Sequence, residues 1–374
     1  MRILFVDDDS MGVQDFKQRA EDCLSAECRV ITFGQTNAEI ANFKPDILVL
    51  DLIQGQEDDE KSAGMCQLEK IWKERFCPVI VYSAFSGRFK DEAPEEIVGH
   101  PFIAVVQKGA GSDEKGCDCA RDFAAHITAL QAVDKEISRA IQDTLRDLAP
   151  FAFRTVEGEE KRSEFLVRAA RRRVAAMMDV ATDSASSLAC WEHYVYPPCD
   201  PNLLLGDVIH RRAEGWDDPK AFRLVLTPSC DMVKRENKKP NVSYVLVARC
   251  NSAQQFVKTA GLVQANADRL KERLPSMLSR GYLESCLPLP PFQGKFPAMT
   301  ADLRDLELVS LDRVGKEDEE YERVLSMDSP FRELVAWAYL QTCGRPGLPD
   351  RDVKAWSEEI IKEVNKAERG GQAT

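Results

Sequence analysis

The chain has 374 residues, 44% hydrophobic and 30% charged, with 12 cysteines and a net charge of −12, so it exceeds one ordinary core and predicts two or three globular domains. Residues 1–130 hold 24 acidic and 14 basic side chains, which excludes a general nucleic-acid-coating role for that part and leaves any polyanion contact to basic patches further along. No apolar run reaches the roughly 18–20 residues that span a bilayer, and Asp7, Asp8 and Asp9 interrupt the start where a signal peptide is apolar, so no membrane segment and a cytoplasmic location are expected.

Along the first 110 residues, short apolar runs alternate with amphipathic stretches. The runs are 3–6, 29–33, 47–50, 79–82 and 102–106, each four or five residues long and rich in Val and Ile. Near-continuous hydrophobicity of this length predicts strands buried on both faces of a parallel sheet. Helix-like segments at 15–24, 38–43 and 65–76 lie between them, which predicts a doubly wound α/β domain.

Residues 118–148 predict one long helix. Phe123, Ile127, Leu130, Ile137, Ile141, Leu145 and Leu148 fall at steps of three, four or seven. The first half of this stripe is expected to pack on the sheet, and the second half to form either a homodimer seam or a core-facing surface. Pro150 and residues 157–161 predict a linker, followed by a second helix at about 163–179 that carries Arg168, Arg171, Arg172 and Arg173. Beyond Pro197 and Pro198 the pattern turns to strands at 207–210, 222–227, 242–248, 306–311 and 321–326, with helices near 254–280 and 329–342. This predicts an α+β domain or a small β-barrel. The expected organisation is a first domain over 1–117, a helical linker over 118–190 and an output domain over 191–374.

The chemistry is expected where parallel strands end at their carboxyl termini. Strand one ends in Asp7 and Asp8, strand three in Asp51, strand four in Ser83, and strand five runs through Gln107 to Lys108. Each acid alone reads as a helix cap or a strand end. Together at one edge the set suits phosphoryl transfer. Crowded carboxylates call for a hard divalent cation, and Mg²⁺ suits Asp8, Asp51 and the backbone carbonyl of Ile53, with Asp7 acting through water. Asp51 is the expected nucleophile, forming an aspartyl phosphate, with Lys108 and the Ser83 hydroxyl on the phosphoryl oxygens.

These stretches, Arg2-Ile-Leu-Phe-Val-Asp-Asp-Asp9, Asp46-Ile-Leu-Val-Leu-Asp-Leu52, Val79-Ile-Val-Tyr-Ser-Ala84 and Val105-Val-Gln-Lys108, resemble the receiver domains of two-component response regulators over about residues 1–130. The resemblance implies a flavodoxin-like five-stranded parallel sheet of order 2-1-3-4-5, the same residue roles, and phosphorylation by a sensor histidine kinase or a phosphotransfer protein. Three departures stand out. Residues 53–60 replace the usual Met-Pro turn with a longer acidic stretch. Gly109 stands where proline normally follows the lysine. Val105 stands in place of the switch aromatic.

The second half carries weaker signals. Gly206-Asp207-Val208-Ile209, followed by a strand ending in Thr227-Pro-Ser-Cys-Asp231, weakly resembles SH3-like barrels such as those of toxin-type endoribonucleases. Cys230 is either a structural thiol or a nucleophile partnered by Asp231 and His193 or His210. Cys190, His193, Cys199 and Cys230 are either ordinary reduced thiols with a histidine or a zinc set. Cys117 and Cys119, with one intervening residue, lack zinc-knuckle spacing. The arginines at 168–173 and Lys234, Arg235, Lys238 and Lys239 read as solvated faces or phosphate contacts. Pro330-Phe331-Arg332-Glu333 reads as a helix start. The output is thus an interaction module, with a receiver-gated enzyme or a nucleic-acid-binding effector as alternatives.

Overall fold

The computed structural model describes residues 1–53, 62–74, 76–178, 188–235, 239–292, 294–315, 318–344 and 352–370. The acidic stretch 54–60 and Lys238 lie outside the described residues. The chain divides into two compact units, Met1–Val180 and Ala181–Thr374.

In the first unit the apolar runs become β1 (Arg2–Val6), β2 (Glu27–Ile31), β3 (Ile47–Leu50), β4 (Val79–Ser83) and β5 (Ile103–Gln107). All pairings are parallel and the order is β2-β1-β3-β4-β5. The helices are α1 (Gln14–Leu24), α2 (Thr36–Phe43), α3 (Ala63–Glu74), α4 (Arg88–Glu92), α5 (Ser112–Thr155) and α6 (Glu159–Met178). Alternate residues of each strand feed two cores. Ile3, Phe5, Val49 and Tyr82 pack with Phe16 of α1 and Phe123 of α5. Leu4, Val6, Leu50 and Val81 pack with Ile40 of α2, Met65 and Leu68 of α3 and Phe89 of α4. Burial on both faces explains why the runs of β1, β3 and β4 read as continuous rather than alternating, whereas the edge strands β2 and β5, expected to be buried on both faces, are partly exposed. This is the doubly wound, flavodoxin-like architecture. The second strand begins and ends two residues earlier than expected, because Thr32 and Gln35 cap a 3-10 turn that takes the chain out of the sheet.

The long helix also differs from expectation. α5 starts at Ser112, six residues before 118, and runs through Pro150 to Thr155, so Pro150 does not begin a linker. Ala140, Thr144 and Ala152 of α5 are buried, and α6 folds back beside them, with Phe151 and Phe165 rings 6.0 Å apart and Arg173 3.1 Å from Asp147. This packing holds the helix together past the proline, whose ring removes one backbone donor. The reversal falls instead at Gly158, whose φ of 90° suits glycine.

In the second unit the strands are β6 (Tyr194–Val195), β7 (Asp207–Arg211), β8 (Phe222–Val225), β9 (Tyr244–Ser252), β10 (Cys286–Leu289), β11 (Met299–Ser310) and β12 (Tyr321–Met327). Its helices are α7 (Ser229–Met232), α8 (Gln254–Thr259), α9 (Ala267–Leu278), α10 (Phe331–Cys343) and α11 (Val353–Gly370). The strands form a seven-stranded antiparallel sheet of order β10-β11-β9-β8-β7-β12-β6, so the chain takes the α+β alternative. The helix expected over 254–280 is two helices, parted by a turn at Gly261, where φ is 67°.

Candidate functional site

Parallel pairing brings the carboxyl ends of four strands to one edge. The Asp7 amide donates to the Ile31 carbonyl, the Asp51 amide to Val6, and the Lys108 amide to Ser83, each at 3.0 Å. Side chains that leave these positions must therefore meet. Lys108 Nζ donates to Asp7 Oδ2 at 2.6 Å and to Asp51 Oδ2 at 2.7 Å, closing gaps of 101 and 57 residues in the sequence. The Tyr82 ring centroid lies 5.7 Å from the same ammonium.

The other expected residues stand nearby but are engaged elsewhere. Ser83 is fully buried, and its hydroxyl accepts from the Phe85 amide at 3.2 Å. Asp8 Oδ1 accepts from the Phe33 amide at 3.3 Å. Asp51 Oδ1 accepts from the Leu52 amide at 2.7 Å, with the Ile53 amide at 3.5 Å. Two neighbours escaped the sequence reading. The Asp9 amide donates to Asp7 Oδ1 at 2.8 Å, and the Asp9 carboxylate caps the 3-10 turn at Ser10–Val13. Gly64 opens α3 so close to Asp51 that an added Cβ would sit 2.1 Å from the Asp51 carbonyl oxygen. An acidic triplet followed by Gly12 hints at the first, but nothing in the sequence distinguishes Gly64 from an ordinary helix-start glycine.

Electrostatically the site carries more acid than base. Burial raises the Asp7 carboxyl above its ordinary range despite the Lys108 ammonium beside it. At Lys108 burial pulls the other way, but the hydrogen bonds and charges of Asp51 and Asp7 outweigh it and hold the amine above its usual value. Next to the site, burial and the Asp113 carboxylate push the Tyr82 phenol up to about 12, and its hydroxyl meets Ser112 Oγ at 2.6 Å and Asp113 Oδ1 at 2.5 Å, both at the start of α5.

Two carboxylates sharing one ammonium form an oxygen-only donor set with surplus negative charge, which fits a hard divalent cation chemically. Among the described residues no three His, Cys, Asp or Glu side chains are already grouped as ligands, since Asp8 is turned to the Phe33 amide. The same finding bears on the zinc alternative. Cys190, Cys199 and Cys230 are exposed and the His193 ring lies against Phe331, tilted by 33° with centroids 3.7 Å apart, and these four do not form a ligand cluster.

No protein-family model matches the chain, and no curated protein does. Among solved structures, the chain is similar to the BeF3-activated receiver domain of nitrogen regulatory protein C (NtrC), at 21% identity and a TM-score of 0.26, over 33% of this chain and 95% of that one. It is also similar to the Salmonella typhimurium response regulator RcsB, at 14% identity and a TM-score of 0.23, over 50% of this chain and 96% of that one. The strand order is that of the receiver fold. Within this flavodoxin-like unit, the departures noted in the sequence are visible. Val105, in the place of the switch aromatic, is 44% exposed on β5. The peptide joining Lys108 to Gly109 is trans.

In the second unit neither histidine is hydrogen-bonded to Cys230. His210 Nδ1 meets Glu322 Oε1 at 3.0 Å and its ring stacks on Trp216, while Asp231 accepts from the Asn241 side chain at 3.0 Å. Of the arginines on α6, Arg168 pairs with Glu164 and Arg173 with Asp147. These pairings favour the solvated-face reading of that patch.

Proposed function

We propose that the chain is a response regulator whose first unit accepts a phosphoryl group on Asp51 from a sensor histidine kinase or phosphotransfer protein. The observation that carries this reading is the convergence of Asp7, Asp51 and Lys108 within one hydrogen-bonded cluster at the sheet edge. A carboxylate oxygen of Asp51 attacks the phosphorus of a phosphohistidine. The P–N bond breaks, and the imidazole keeps the electron pair and takes a proton from solvent. Lys108 exchanges a carboxylate for a phosphoryl oxygen, and Ser83 releases the Phe85 amide to donate its hydroxyl to another. Asp8, Asp51 and the Ile53 carbonyl, with Asp7 in support, would hold Mg²⁺, which would supply positive charge against those oxygens. Asp7 and Asp9 keep the surrounding backbone in place.

We further propose that α5 and α6 relay this change to the C-terminal unit, and that two copies pair along α5. Leu130, Val133, Ile141 and Leu145 leave an apolar stripe on α5 that is 40–66% exposed. Incubation of the full chain with Mg²⁺ and acetyl phosphate, followed by intact-mass and light-scattering measurements, tests both. One phosphoryl mass is expected on the wild type and none on Asp51→Asn. A mass gain on the variant equal to that of the wild type removes Asp51 from the role.

A further inference from the structure

We propose that the C-terminal unit binds a small amphipathic acid, an apolar chain bearing one carboxylate, in a cleft between α8, α9, β10, β11 and α10. The cleft measures about 600 Å³ and is walled by Phe256 and Val257 of α8, Leu274 and Leu278 of α9, Leu289 of β10 and Met299 of β11. That is the size and apolar character of a site that encloses a small organic molecule.

Three observations point to an occupant. Thr300 of β11 borders the cleft and is fully buried, yet its hydroxyl has no hydrogen-bond partner among the described residues. A buried hydroxyl left unpaired is costly, and a polar atom entering the cleft relieves it. Next, α9 is amphipathic but buries none of its residues, and its Leu278 stays 43% exposed. A helix whose apolar face lines a hollow gains its burial when the hollow is filled. Finally, Arg280 follows α9 into the cleft lining, where no carboxylate stands, and no acidic side chain among the described residues pairs with it. The one histidine of the lining, His193, is held below its usual range by burial. The fixed positive charge is therefore the Arg280 guanidinium, whose planar fork matches a single carboxylate. The apolar walls take the chain, and the Thr300 hydroxyl takes a polar atom of the ligand.

This reading is independent of phosphorylation at Asp51. It is tested with the full chain and anilinonaphthalene sulfonate, displaced in turn by decanoate and by decanol. Dye fluorescence should rise on binding, and decanoate should displace it at about tenfold lower concentration than decanol. In Arg280→Gln that preference should vanish while decanol displacement is unchanged. In Thr300→Val, decanoate should weaken about fivefold while the melting temperature of the free protein rises, a pairing of effects that a merely structural role does not give. Failure of decanoate to displace the dye, or a preference that persists in Arg280→Gln, overturns the proposal.

Discussion

The two units handle charge in opposite ways. In the C-terminal sheet the buried Asp207 and the half-buried Glu307 are each met by guanidinium groups from neighbouring strands. Asp207 lies 2.7 Å from Arg323, and Glu307 Oε2 accepts from both Arg223 at 2.9 Å and Arg249 at 3.0 Å. Arg223 and Arg249 stand directly opposite each other on β8 and β9, a repulsive placement that Glu307 relieves. In the N-terminal sheet the ratio is inverted, with one ammonium between two carboxylates and two further aspartates at the same edge. Neutralised pairs spread over a sheet face are scaffolding. A surplus gathered at one edge is the arrangement that the proposed phosphoryl transfer requires.

The largest effect that tests this contrast is expected in the scaffolding. Arg323→Met strands the fully buried Asp207, whose carboxyl burial already holds above its ordinary range, and should lower stability by about 3 kcal/mol in urea unfolding. Adding Asp207→Asn should recover much of that loss. Lys108→Met leaves Asp7 and Asp51 facing each other and should cost about 2 kcal/mol, with phosphoryl incorporation falling by at least tenfold. A smaller effect belongs to Tyr82. Its phenol ionises at about 12 in the folded chain against 10.0 when free, so the unfolded chain loses its proton first as pH rises. Stability contributed by Tyr82 is therefore complete below pH 10 and declines toward pH 12, by about 1–2 kcal/mol, and Tyr82→Phe should flatten that part of the profile. The smallest change is a gain. Because burial raises the Asp7 carboxyl from 3.8, its ionised form costs stability at neutral pH and none below that value. In urea unfolding Asp7→Asn should stabilise the metal-free protein slightly at pH 7 and weaken its stabilisation by Mg²⁺. If Asp7→Asn destabilises as strongly as Arg323→Met, the contrast between the units fails.

How far the sequence revealed these features follows from the two topologies. In a parallel sheet every strand points the same way, so the residues after the runs ending at Val6, Leu50 and Gln107 share an edge, and Asp7, Asp51 and Lys108 could be placed together before any coordinates. Asp9 was harder, because its part depends on a 3-10 turn that no periodicity announces. Gly64 depends on a close backbone approach that only coordinates reveal. In the antiparallel sheet β10 was missed because Pro288 lies within it, which an edge strand tolerates and a central one does not. Thr300 looks like any strand threonine, since what marks it is a missing partner rather than a residue type. The nucleophile alternative for Cys230, unlike the structural-thiol one, gained no support for a related reason. Proximity to His193 or His210 in sequence says little about which strand neighbour each ring meets, and the rings meet Phe331 and Trp216.

The unbroken course of α5 has a mechanical consequence. Its first residues, Ser112 and Asp113, are tied to Tyr82, the residue before Ser83, while the segment past Ile127 leaves the sheet and continues to Thr155. At 1.5 Å per residue that segment is a rod of about 40 Å, and a tilt of about five degrees at its root moves its tip by about 3–4 Å. A displacement of β4 too small to disturb the core thus becomes, at the far end, as large as the radius of a side chain.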